Sequence, residues 1–318
     1  MTDSLKILIV AGGLTHERDV SLRSGRRVAN LMRQNGHTVE VCDLNAQFMP
    51  TVAEFEPDVV WPLIHGSVGE DGSVQDLLSL ISFPYVGSRA PSCVLASNKP
   101  SAKALARLAG VATPKWLSLR QSLFRQVGAP AIIQSIIAND AGLKFPLIVK
   151  PSDGGSALGI SKVSTEDELR SAMVDAFAYG DTVMVEEFIP GHEIAVSIID
   201  LEDGPIALPP VEIVTDDGQY DYDARYNTGR SEFFVPARLS DEATENVKEV
   251  ALKVHDTLGM RHLSRIDLIV DDEGTAWFID ANVSPGMTDT SLLPLAADEY
   301  SSFQQVLEDV AQYAATGK

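Results

Sequence analysis

Leu263-Ser264-Arg265-Ile266-Asp267-Leu268-Ile269-Val270 and, after a short turn, Ala276-Trp277-Phe278-Ile279-Asp280-Ala281-Asn282-Val283-Ser284-Pro285-Gly286-Met287 form the stretch on which the fold turns. The run Leu263 to Val270 and the run Ala276 to Ala281 read as strands. Residues two apart on a strand share a face, so Arg265 points with Asp267 and Asp280 with Asn282. If these strands are neighbours, one cleft receives three hard oxygen ligands and one cation. Mg²⁺ prefers oxygen ligands and keeps phosphate and water in its shell, so an Asp/Asp/Asn set beside a nucleotide is chemically apt. Taken singly, each of the four is equally readable as a solvated strand residue. The Ser284-Pro285-Gly286-Met287 turn that follows makes the set harder to ascribe to chance.

Upstream, the texture changes at Asn98. Ser101 to Ala109 is Ala-rich with helical spacing, and Phe145-Pro146-Leu147-Ile148-Val149-Lys150 reads as a strand ending on a lysine. Lys150-Pro151-Ser152-Asp153-Gly154-Gly155-Ser156-Ala157-Leu158-Gly159 follows, and its small residues would let backbone amides approach phosphate oxygens. A mobile hairpin is the alternative. Gly154 and Gly159 have Walker A spacing, but Ile160 stands where that motif needs Lys, so a P-loop is rejected. Thr182 to Phe188, Glu193 to Ile199 and Ile206 to Val214 read as strands that alternate poorly with helices, which predicts an α+β region with antiparallel pairing. The polar segment from Asp216 to Ser231 lacks periodicity and reads as a functional or disordered loop. A helix over Glu242 to Leu258 and two helical segments after the turn complete this half, and no internal repeat is found.

The first ninety-odd residues have another pattern. Lys6 to Val10 is an apolar run closed by Gly12-Gly13, Val20 to Gln34 is amphipathic, and Thr38 to Val41 and Asp58 to Ile64 read as further strands, with Ser73 to Ile81 helical. This predicts an open α/β domain with a parallel sheet, whose carboxyl edge is where such sheets bind ligands. His16-Glu17-Arg18-Asp19-Val20-Ser21 lies at that edge. Glu17 could anchor an ammonium group there, while Asp19 is equally a helix N-cap. His65, in His65-Gly66-Ser67-Val68-Gly69-Glu70-Asp71-Gly72, could reach the same cleft or be structural.

At 318 residues the chain exceeds one hydrophobic core, so two or three domains are expected. A hydrophobic fraction of 45% excludes disordered and collagen-like classes. A net charge of −20 without clustered Lys and Arg argues against a nucleic-acid partner. Cys42 and Cys93 make neither a disulfide framework nor a CxxC site, which suits a reducing cytoplasm. The N-terminal run is too short for a signal peptide, and no apolar stretch approaches the roughly 20 residues of a membrane span.

Together these residues resemble the D-alanine:D-alanine ligase family of the ATP-grasp superfamily. The similarity runs from Gly12 to about Ala297, in four ordered blocks: Gly12 to Ser21, His65 to Gln75, Lys150 to Gly159 and Arg265 to Leu292. The resemblance implies an ATP-grasp fold with a Rossmann-like N-terminal domain. Three domains follow, at 1–97, 98–188 and 189–318, with ATP between the second and third and the amino acids meeting the first. It further implies that Lys99 and Lys150 contact ATP phosphates, that Glu186, Glu187, Phe188 and Ile189 form the adenine hinge, and that Glu193 holds the ribose. Asp267, Asp280 and Asn282 would bind Mg²⁺, which Mn²⁺ could replace, with two ions expected. The first D-alanine would place its ammonium near Glu17, with His65 close by. Ser156 and Tyr226 would link Glu17 to two mobile loops. Arg265 and the Gly286 amide would form an oxyanion hole, and Ser291 with Leu292 would receive the second D-alanine carboxylate.

The implied reaction makes an acyl phosphate from the first D-alanine and ATP, and the amine of the second then attacks it. Water exclusion by a lid around Tyr226 would protect the intermediate. Three positions depart from the family: Asp280 replaces Glu, Arg225 replaces the Lys before the loop tyrosine and would still offer a cation to the γ-phosphate, and Thr290 replaces a common His. The resemblance implies D-alanyl-D-alanine formation for peptidoglycan precursors by a cytoplasmic homodimer, with no nucleic-acid or membrane partner. Thr290 and Arg225 motivate a related ligase using another amine or hydroxy acid, and Asp280 motivates a silent nucleotide-binding paralogue.

Overall fold

A computed structural model of the protein describes residues 4–138, 142–155, 157–215 and 231–317. Three sheets organise it. The first is built from β1 (Lys6–Val10), β2 (Thr38–Cys42) and β3 (Val59–Pro62), all parallel in the order β2-β1-β3. Helix α1 (Arg18–Gln34) returns the chain from β1 to β2, and its buried residues Val20, Ser24, Val28 and Met32 recur at helical spacing. The alternation along β1 decides what covers each face. Ile7 and Ile9 pack with α1, while Leu8 and Val10 pack with α2 (Phe48–Phe55) and, past the short α3 (Ser67–Glu70), with α4 (Ser73–Leu80). The open parallel sheet expected from the sequence is present. Asp19, one reading of which was an N-cap, lies inside the first turn of α1, and Glu17 occupies the cap position.

Helices α5 (Ala90–Ser97) and α6 (Lys99–Leu108) lead into the second sheet. The Asn98 side chain caps α6 by accepting from the Ser101 amide at 3.1 Å, which stops α5 and starts α6 within one residue. The second sheet has the order β4-β7-β5-β6, with β4 Trp116–Arg120, β5 Leu147–Pro151, β6 Ser161–Val163 and β7 Thr182–Glu187, all antiparallel. Helices α7 (Gln121–Val127), α8 (Ala129–Ile137) and α9 (Glu166–Ala176) accompany it, and Ile133, Leu169 and Met173 bury one face.

The third sheet runs β11-β10-β8-β12-β13, with β9 also on β8. These are β8 His192–Leu201, β9 Gly204–Ala207, β10 Val211–Thr215, β11 Ser231–Phe234, β12 His262–Val270 and β13 Ala276–Asn282. The single strand expected over Ile206 to Val214 is two strands. Pro209 and Pro210 lack the amide hydrogens that a ladder needs, so pairing stops at Ala207 and resumes at Val211. Helix α10 (Asp241–Thr257) packs on one face with α5 and α6, while α11 (Leu292–Tyr300) and α12 (Phe303–Ala315) pack on the other. Helix α12 is shared, since Phe303, Val306 and Val310 belong to one core with Ile7, Ile9 and Val28. No helix among the described residues is long and apolar enough to cross a membrane.

Candidate active site

Strands β12 and β13 are neighbours, as the face argument required. Their antiparallel register sets Arg265 opposite Asn282 and Asp267 opposite Asp280, with an irregularity just after Asp267. The Arg265 guanidinium donates through Nε and Nη2 to the two Asp267 oxygens, at 2.6 and 2.9 Å. This fork fixes the plane of a buried cation beside the carboxylates.

Lys99, Lys150, Glu186, Glu187, Phe188, Ile189, Glu193, Asp267 and Asp280 line one cleft of about 240 Å³ between the second and third sheets. Ile148, Ile160, Ile269 and Ile279 add apolar walls, which suits a flat heteroaromatic ring. The Lys162 ammonium lies 3.6 Å from the centre of the Phe188 ring at the hinge. A second cavity adjoins at Asp280 and Lys99 and is lined also by Glu70, Asp153, Gly154, Gly155, Arg265 and Asn282.

A buried ion cluster supports the cleft. The Glu186 carboxylate receives Lys150 Nζ at 2.5 Å and Lys103 Nζ at 2.9 Å, and all three side chains are buried. Lys103 also donates to Thr113 Oγ1 and the Phe278 carbonyl. Burial pushes Lys103 down to about 8 although Glu186 opposes the shift. Burial likewise acts against the Glu186 charge, but the two ammonium groups hold that carboxylate below its usual range. Lys99 opens α6 and donates Nζ to the Gly154 carbonyl at 2.5 Å, with Asp280 at 3.6 Å. The glycine-rich segment is therefore tethered to the α6 lysine, whose ammonium also faces the β13 carboxylate.

At the edge of the first sheet, Glu17 is 6% exposed and lies against Gly66. A Cβ on Gly66 would sit 2.5 Å from Glu17 Oε2, so only glycine lets the loop pass at that φ of +86°. Glu70 is the neighbouring carboxyl. Burial, reinforced by Glu17, pushes it up to about 8. Folding therefore takes up a proton at Glu70 between its ordinary value of 4.5 and about 8, and stability falls as pH rises through that window. Glu70→Gln, permanently neutral, should stabilise the unliganded protein by about 2 kcal/mol at pH 8 and leave it nearly unchanged at pH 4. Urea unfolding at both pH values checks this, and equal gains at the two would refute the assignment.

The turn after β13 is held from the first sheet's helix. Arg27 donates to the Met287 and Thr288 carbonyls at 3.1 and 2.9 Å and pairs with Asp289 at 3.0 Å. Within the turn, Ser291 Oγ accepts from the Thr288 amide and lies 2.8 Å from Thr288 Oγ1, whose other hydroxyl neighbour is Thr290. A Cβ at Gly286 would approach Ser291 Oγ to 2.7 Å. His65 Nδ1 lies 3.1 Å from the Ser284 carbonyl. Gly286 and Ser291 thus belong to a turn tied to His65 and α1, with Leu292 opening the helix that follows, whereas Lys99, Lys150 and the segment Glu186 to Ile189 line the cleft between the other two sheets. Ser156, Arg225 and Tyr226 lie outside the described residues.

Two carboxylates and one amide oxygen are hard donors, and their set fits Mg²⁺ shared with phosphate oxygens and water. Among the described residues, no three His, Cys, Asp or Glu side chains are gathered to hold a metal by themselves. Lys103, Lys162 and Glu70 were given no role from sequence. Lys103 carried a signal: it stands four residues after Lys99, on the face of α6 that buries Ala102 and Ala106.

Residues 45–88 match the family profile described as D-ala D-ala ligase N-terminus, and residues 105–312 match the one described as D-ala D-ala ligase C-terminus. The D-alanine–D-alanine ligase of Halalkalibacterium halodurans is 36% identical over 298 residues, covering 92% of this chain and 93% of that protein. That of Aquifex aeolicus is 35% identical, covering 93% and 95%. Among solved structures, D-alanine–D-alanine ligase from Bacillus anthracis complexed with ATP superposes with a TM-score of 0.79 at 26% identity, covering 99% and 98%. VanG D-Ala:D-Ser ligase from Enterococcus faecalis superposes with a TM-score of 0.81 at 27% identity, covering 98% and 100%.

Proposed function

The chain belongs to the D-alanine–D-alanine ligase family, and from that premise we infer that it joins two molecules of D-alanine with consumption of ATP, supplying a peptidoglycan precursor. The observation that carries the reading is the meeting of a lysine-walled cleft with the Arg265/Asp267/Asp280/Asn282 face.

A carboxylate oxygen of the first D-alanine attacks the γ-phosphorus, the bond to the β-bridging oxygen breaks, and ADP leaves. Lys99 and Lys150 bear on the phosphates, the chain from Glu186 to Ile189 borders the adenine, and Glu193 faces the ribose. Asp267, Asp280 and Asn282 would hold a Mg²⁺ ion, which would supply positive charge to the transferring group. Glu17 anchors the first ammonium, and family resemblance assigns supporting roles to Ser156, Tyr226 and Arg225, which lie outside the described residues. The amine of the second D-alanine then attacks the acyl carbon, the bond to phosphate breaks, and the amine gives up a proton. Arg265 and the Gly286 amide stabilise the oxyanion between those events, and Ser291 and Leu292 receive the second carboxylate. Asp267 supports this role by clamping two guanidinium nitrogens, so that the cation does not reorganise during reaction.

The three-domain division at 97/98 and 188/189, and a cytoplasmic homodimer, complete the reading. They rest on family resemblance, and sedimentation of the purified protein tests the dimer. The hydroxyl cluster of Thr288, Thr290 and Ser291 favours a second reading in which the second substrate carries a hydroxyl group. Phosphate release from ATP and Mg²⁺ with D-alanine, D-serine, L-alanine and D-alanine plus D-lactate, with products weighed by mass spectrometry, separates the two. D-Alanyl-D-alanine from D-alanine alone is the expected result. Turnover only with a mixed pair would move the protein to another ligation.

A further inference from the structure

Ser24 lies on α1, two turns after Glu17, and is fully buried. Its hydroxyl oxygen lies 3.2 Å from the Met287 amide nitrogen and 3.0 Å from His65 Nε2. The other ring nitrogen of His65, Nδ1, is 3.1 Å from the Ser284 carbonyl.

These contacts, taken with the burial of the ring, assign the protons. A carbonyl only accepts, so His65 Nδ1 carries hydrogen and donates to Ser284. The ring is neutral, because burial pushes His65 down to about 4, with Arg265 adding to the shift and the Ser284 carbonyl opposing it. Nε2 is therefore a bare acceptor, and Ser24 must donate its hydrogen there. The Met287 amide in turn donates to the serine lone pair. Hydrogen bonds thus run in one direction from Met287 through Ser24 and His65 to Ser284, closing a ring around Pro285 and Gly286. Ser21, one turn earlier, accepts from the Gly12 amide and donates to the Leu63 carbonyl, so both its partners lie within the first sheet's own segment. Of these two serines, Ser24 is the one that reaches across to the turn, whose Met287 and Thr288 carbonyls Arg27 of the same helix also holds.

We propose that Ser24 is a positioning residue of the ligation step: by orienting His65 and the Met287 amide it holds the Gly286 turn in place while the amine attacks. The role rests on the ligase reading above, in which the Gly286 amide is an oxyanion donor. It concerns the second half-reaction. Nucleotide binding uses residues of the other cleft and does not depend on it.

Ser24→Ala tests it, with Ser21→Ala as the control for loss of a buried serine and Ser24→Cys, which keeps a weak donor, should the alanine variant fold poorly. In ¹⁵N-histidine spectra without substrate, the parent should show a protonated Nδ1 and an unprotonated, hydrogen-bonded Nε2 at about pH 5. Ser24→Ala should move Nε2 towards the position of a free acceptor, and Ser21→Ala should not. In turnover, Ser24→Ala should lower kcat for dipeptide about ten- to a hundredfold with KM for ATP unchanged, and should raise the ratio of ADP to dipeptide. A wild-type kcat, an unmoved Nε2 resonance, or a fall matched by Ser21→Ala would overturn the proposal. If the parent itself makes no dipeptide from D-alanine, the ligase reading falls, and the resonance still reports whether the hydrogen-bond ring exists.

Discussion

Glu186→Gln is expected to cost about 3–5 kcal/mol of stability at pH 7, because it leaves two buried ammonium groups without their shared counter-charge. Lys103 and Lys150 converge on the one carboxylate, at 2.9 and 2.5 Å, in a place where water cannot replace it. The neutral amide keeps one acceptor oxygen but turns a donor NH₂ towards the other ammonium, and it carries no charge to balance either. The sign of the pH dependence follows from Lys103. Its folded value of about 8 lies below the ordinary 10.5, so folding releases a proton between those limits and stability rises with pH across them. Without Glu186 that value falls further, the window widens downward, and the deficit against the parent should shrink towards pH 10 and grow as pH falls below about 8. Urea midpoints with unchanged slopes measure it. A loss below about 1 kcal/mol at pH 7 would mean that the lysines find water or each other's neighbours, and that the cluster is not a closed network.

The second large effect is catalytic. Arg265→Ala should lower turnover about a hundred- to a thousandfold, the cost of losing one preorganised donor to an oxyanion. It also strips Asp267 of a bidentate partner, so part of the loss belongs to a displaced carboxylate. Arg265→Lys separates the two contributions: it keeps a cation near Asp267 without the planar fork, and should recover ATP affinity more fully than kcat. Steady-state phosphate release and nucleotide binding by calorimetry give the two quantities. A rate within about threefold of the parent would remove Arg265 from the chemistry.

Much of this site could be read from sequence for a local reason. The alternation of Arg265 with Asp267 and of Asp280 with Asn282 is a property of any strand, and the register of β12 on β13 then put the pairs opposite each other. Local signals also located α1, the parallel sheet and the helix α10. Strand β4 escaped because Trp116 to Arg120 is a half-buried edge whose pairing with β7 is set by residues far along the chain. The break in the run from Ile206 to Val214 was legible, since two consecutive prolines cannot donate to a ladder. The partners of Glu186 were not, because nothing near Lys103 or Lys150 in sequence says that a carboxylate of β7 reaches both. Nor could Arg27 be foreseen as a clamp on carbonyls 260 residues away.

Helix α12 covers the face of the first sheet that presents Ile7 and Ile9, and its Glu308 accepts hydrogen bonds from Asn35 and His37 at the far end of α1. During synthesis, β1 and α1 leave the ribosome long before residues 303–315 exist. Until α12 emerges, Ile7 and Ile9 have α1 but not Phe303, Val306 and Val310 against them, so the core around the helix bearing Ser24 and Arg27 stays incomplete.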